Sequence, residues 1–178
     1  MKRIFLNLAI LDFLGLMACF VWGFAFDPSD RETSTYMVHF HLGLWFAIFN
    51  LGVHCLIFIY FLGPGRWVKE VALAYDLPDV PYPRLTRDLK RRTFPPALFA
   101  MLVPIAAAAS GLGAQMREWP GWIHFFLAVG TLIVYLWAFR IEYRNVSING
   151  TVIDDVLREV ERIRAEHGLP SNAEALQD

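Results

Sequence analysis

Charge of either sign is scarce in this chain. Asp, Glu, Lys and Arg make up 19% of its 178 residues, and 16 basic side chains against 17 acidic ones leave a formal charge of −1. A nucleic-acid binder draws its affinity from a basic excess along a groove or face, so that class of partner is excluded. Cysteine is scarcer still. Cys19 and Cys55 both lie inside apolar runs, which leaves no disulfide framework and no CxxC zinc or redox motif. The sequence also has no internal repeat, Gly-rich phosphate loop, nucleophile elbow or HExxH. Nor does it alternate with the period of two that a membrane barrel requires.

What it has in abundance is apolar surface: 56% hydrophobic residues, 15% aromatic residues and a mean hydropathy of +0.41. A soluble domain does not need this much. Four runs, residues 4–26, 36–62, 96–114 and 121–139, are long enough to cross a hydrocarbon core of about 30 Å as helices. The expected fold is therefore an all-α integral membrane protein, a four-helix up-down-up-down bundle occupying residues 1–144. The first run follows Lys2 and Arg3 like a signal peptide. It is too long for one, is bounded by Phe24 and Phe26 rather than small residues, and contains Asp12, so it reads as a retained anchor.

Cations set the orientation. Of the 16 Lys and Arg, all but Arg31 and Arg117 lie before the first span, between the second and third, or after the fourth. Both termini are thus expected in the cytoplasm of a bacterial inner-membrane type of bilayer. The cytoplasmic loop 63–95 is expected to hold an interfacial helix from Arg66 to Tyr75. Pro78, Pro81 and Pro83 should then stop any helix before the basic stretch Arg84–Arg92, which meets lipid headgroups. Residues 145–178 form a second unit. In it Val152, Val156, Val160 and Ile163 make the narrow stripe of an amphipathic helix, fit to pack on the loop or on another subunit, and the chain beyond Gly168 and Pro170 reads as disordered. Asn145 and Asn149 open glycosylation-like triplets that a cytoplasmic placement renders accidental.

Functional signal resides in the polar side chains within the spans, because an ionisable group at membrane depth is costly and faces the bundle interior by default. On the second helix His39, Asn50 and His54 fall within about 60° of one another, whereas His41 lies about 200° from His39. His124 begins the fourth span at the same outer level as His39 and His41. Gly43 and Gly130 would let a flat group approach the backbone. Two imidazoles from two transmembrane helices, with glycine openings and an aromatic lining, suit the axial ligation of a b-type haem by His124 and His39 or His41, with His39 favoured by its polar stripe. In general arrangement, though not in any shared motif, this is similar to small membrane cytochrome b subunits. Copper is the alternative cofactor, with Met37 and Met116 beside the three histidines.

Deeper in the membrane, His54 and Asp12 both lie about 12 Å from the cytoplasmic ends of their spans. They are expected to pair, with Asn50 nearby, as a proton relay or a quinone site. The resulting expectation is a membrane electron-transfer protein that exchanges electrons with quinone or with other membrane subunits, alone or as a homo-oligomer. The rival expectation is a non-catalytic scaffold or accessory subunit that recruits a partner through its tail helix and basic loop.

Overall fold

The computed structural model describes residues 1–25 and 34–171, and every element in it is a helix. These are α1 (Lys2–Trp22), α2 (Ser34–Ala74), α3 (Tyr82–Gln115) and α4 (Gly121–Glu166). No strand occurs among the described residues. Residues 26–33, which hold Phe26, Arg31 and most of the segment expected to link the first two spans, lie outside the described residues, as does the expected disordered end from 172.

All four helices contain a window long and apolar enough to cross a bilayer, yet less than a third of each window is buried inside the protein. Leu14, Trp45, Ile59, Phe126 and Ile133 are among the large side chains left outside. Leaving one such side chain in water forgoes about 1.5–3 kcal/mol. A belt of them on every helix marks a protein whose solvent is lipid.

α1 packs against α2 and α4, and α3 packs against the same two helices. Gly15 is one reason α1 can come so near α2: a Cβ there would fall about 2 Å from ring atoms of Phe46. The main apolar core joins Phe5 and Ala9 of α1, Val53, Ile57 and Phe61 of α2, Leu89 of α3 and Val146 of α4.

The helices overrun the apolar segments that define the spans. α2 passes through Pro64 without breaking and ends at Ala74, so the expected loop helix is the continuation of the second span. A proline inside a helix removes one backbone hydrogen bond, here the one to the carbonyl of Tyr60. The helix persists because its extension is packed: Val68 is fully buried against Val156 and Val160 of α4. Only residues 75–81 separate α2 from α3. The three prolines do not keep the basic stretch out of a helix, since Pro81 caps α3 and Pro83 occupies its first turn, where a missing N–H costs nothing. Arg84–Arg92 is helical throughout.

α4 likewise runs without interruption through 46 residues, roughly 70 Å at 1.5 Å per residue, so the tail helix and the fourth span are one element. The valine stripe finds its partner within the chain, on the extension of α2, and Arg164 Nη1 adds a hydrogen bond of 3.0 Å to the hydroxyl of Tyr75. On the outer face Arg162 bridges Glu159 at 2.6 Å and Glu166 at 2.5 Å. Its hydrogen bond holds the Glu159 carboxyl below the usual carboxylate range.

Candidate functional site: two histidine levels in the bundle

The interior face of α2 brings His39 to His124 of α4. Their ring centres are 6.1 Å apart and the rings nearly perpendicular, at 84°. Each imidazole is fixed by its Nδ1, which donates to a backbone carbonyl: that of Cys19 on α1 at 3.1 Å for His39, and that of Ala107 on α3 at 2.9 Å for His124. Ser110 Oγ lies 3.4 Å from the same His124 nitrogen. A carbonyl can only accept, so Nδ1 carries a proton in both rings.

Glycine makes the space for both rings. A Cβ on Gly111 would fall 2.9 Å from His124 Cε1, and a Cβ on Gly23 would fall 3.1 Å from His39 Cε1. Both histidines line a cavity of about 520 Å³ between the helices. Small residues form much of its wall, including Gly43, Ala47, Ala107 and Ala128, with Phe20 and Phe125 as aromatic lining and Thr131 on the α4 side. A volume of this order suits a cofactor-sized molecule.

His41 does not join this site. It is exposed, its Nδ1 donates back to the carbonyl of Met37 at 2.7 Å, and it lines a separate shallow groove with Met37, Val38 and Trp45. Gly130 does not line the cavity either; the openings beside the imidazoles are Gly23 and Gly111. Among the described residues no three His, Cys, Asp or Glu side chains come together as a metal-binding group. The His39–His124 level is thus built around a pair of imidazoles and not around a larger ligand set.

A second level centres on His54, about 22 Å along α2 from His39. Asp12 is not its hydrogen-bond partner. His54 Nδ1 lies 2.7 Å from Glu142 Oε1 of α4, while Asp12 Oδ2 accepts a hydrogen bond of 3.0 Å from Asn50 Nδ2. The sequence placed the end of the fourth span at Phe139 because Arg140, Glu142 and Arg144 lower its hydropathy. Both arginines point outward in the structure and Glu142 is wholly buried. Tyr135 binds the two halves of this level together. Its ring contacts His54 with centres 5.7 Å apart, its hydroxyl donates to the Ala9 carbonyl at 2.9 Å, and Asp12 lies within electrostatic reach of both Tyr135 and His54.

Below this level the polar contacts continue. Asn145 Nδ2 donates to Thr93 Oγ1 of α3 at 2.8 Å, and Asn149 Nδ2 to the hydroxyl of Tyr60 at 3.3 Å. Both asparagines are buried inside α4, where no glycosylating enzyme reaches them. Glu142, Asn145 and Asn149 escaped a reading by hydropathy, although a periodic signal was present. With Thr131, Tyr135 and Ala138 before them and Val152, Val156 and Val160 after, they repeat every three or four residues as one buried seam.

Comparison with protein-family models, with curated proteins and with solved structures finds no match to this chain.

Proposed function

We propose that the protein is a membrane electron-transfer protein that holds a b-type haem between His39 and His124. One observation carries the reading: two imidazoles from different helices, each fixed through Nδ1 by a backbone carbonyl, face one cofactor-sized cavity with ring centres 6.1 Å apart. His39 and His124 would be the two residues that hold the iron of such a group. Fixing the tautomer through the second nitrogen is how proteins present a histidine to a metal. The haem would supply the redox chemistry, and the chain supplies ligation, orientation and an apolar surround.

The bundle is taken as up-down-up-down, with both termini on the cytoplasmic side of a bacterial type of inner membrane. Support comes from the cation asymmetry. It comes also from the two levels of contact, His39 with His124 and His54 with Glu142, which fit α2 and α4 running in the same direction. His39 and His124 would then hold the haem near the outer face, and the chemistry it would supply there is electron exchange with quinone or with another redox subunit.

The test is the reduced-minus-oxidised absorption spectrum, with haem extraction, of the full chain purified from haem-replete membranes. Wild type and His41→Ala should show b-type bands. His39→Ala and His124→Ala should lose or shift them while still inserting. A colourless wild type that keeps its fold would overturn the reading and leave an accessory or scaffold subunit in its place.

A further inference from the structure

The His54 level carries more polarity than helix packing needs. Asp12 and Asn50, His54 and Glu142, Thr93 and Asn145, and Tyr60 and Asn149 form successive hydrogen-bonded pairs, each joining two helices. Every one of these side chains is buried. Six buried side-chain atoms among the described residues have no protein partner: Asp12 Oδ1, Asn50 Oδ1, His54 Nε2, Glu142 Oε2, Asn149 Oδ1 and Thr86 Oγ1. All six belong to the same strip, since Thr86 lies on the buried face of α3 two turns before Thr93.

Buried polar atoms without a protein partner are ordinarily satisfied by internal water. Their confinement to one line is the informative feature. The line begins at the arginine-rich end of the bundle, where Thr86 packs over Gly65 and Asn149 meets Tyr60. It climbs about 10 Å of α4 to Glu142, crosses to His54 and ends at Asp12 on α1. Tyr135 and Thr131 continue the same seam up to the wall of the histidine cavity.

We propose that this strip is a hydrated proton path that opens at the arginine-rich end and delivers to a storage site formed by Glu142, His54 and Asp12. In the loading step a hydronium ion at the open end gives its proton to the water chain, water remains behind, and a proton arrives on a carboxylate or the imidazole of the site. The groups that face the stored proton come from all four helices: Asp12 of α1, His54 and Tyr60 of α2, the hydroxyls of Thr86 and Thr93 on α3, and Tyr135 and Glu142 of α4, with Asp154 acting on Tyr60. The path stands on the buried strip and not on the identity of any cofactor above it.

The experiment is infrared spectroscopy of the full chain in liposomes, titrated across neutral pH and then transferred to D2O. A pH-dependent C=O stretch of a protonated buried carboxyl is expected. It should be removed by Glu142→Gln or Asp12→Asn, and Glu142→Asp should shift it if Glu142→Gln does not fold. Asn149→Leu and Thr93→Val should leave the band in place and slow its exchange into D2O by tenfold or more. A band absent across the titration, or one insensitive to both carboxylate positions, overturns the storage site. Exchange as fast as wild type in Asn149→Leu and Thr93→Val overturns the path.

Discussion

His54 and Glu142 share a 2.7 Å hydrogen bond between helices that are far apart in sequence, and their side chains are 1% and 0% exposed. An isolated ionisable group so deeply enclosed is strongly unfavourable, and each of these two makes the other tolerable. Removing one partner should therefore cost about 3–5 kcal/mol. His54→Phe and Glu142→Leu together should cost less than the sum of the singles, because neither change then strands a polar group. Unfolding of the purified protein in mixed micelles gives the three values. Strict additivity would mean that the two side chains do not share a proton or a hydrogen bond.

The relation between Gly111 and His124 gives a second prediction. A Cβ at 111 meets the imidazole at 2.9 Å, so Gly111→Val must push the ring off the Ala107 carbonyl that orients it. Loss of an orienting partner typically weakens a bound metal centre about 10–100-fold. Haem content per chain should fall accordingly, while Gly130→Val, which changes a residue with nothing nearby, should leave it unchanged. Equal retention in both variants would separate the cavity from the cofactor.

Several of these relationships could be read before the structure, and others could not. The facing of His39, Asn50 and His54 toward the interior follows from 100° per residue alone. The same rule puts His41 on the opposite side without excluding it, and only its exposure in the structure does that. The partner of His54 was out of reach because hydropathy ends the fourth span at Phe139, and a hydropathy window averages the outward Arg140 and Arg144 with the inward Glu142. Prolines misled in the opposite direction. Pro64 is overridden by the packing of Val68, and Pro83 stands at a helix start, so a segment rich in helix breakers is mostly helix. The valine stripe of the tail announced that it needed a partner, but only tertiary structure identifies that partner as α2.

The contact between the extensions of α2 and α4 predicts a protease phenotype. Val156 is fully buried against Val68, and truncating it to Ala removes two methyl groups' worth of burial, about 2 kcal/mol with its cavity. Val156→Asp should detach the end of α4 outright. Limited trypsin digestion should then cut at Arg158, Arg162 and Arg164 faster than in wild type, while the apolar segments stay protected by lipid. Unchanged cleavage in Val156→Asp would show that the extension is not held by that contact.

The orientation proposed for the bundle yields the last prediction, and it can be tested at exposed positions outside the apolar windows. Glu118 lies in the short connection between α3 and α4, and His167 follows the end of α4; both are exposed. The cation asymmetry assigns the first to the outer side and the second to the cytoplasm. In a background lacking Cys19 and Cys55, Glu118→Cys should react with a membrane-impermeant thiol reagent on intact cells, and His167→Cys should react only after the membrane is opened. The reverse pattern would place the His39 and His124 level at the cytoplasmic face and the mouth of the polar strip outside. Reaction of both on intact cells would be incompatible with a single crossing by α4. Because α4 is one unbroken helix from Gly121 to Glu166, these two positions report on its two ends, so the experiment reads the direction of the helix that contributes both His124 and Glu142.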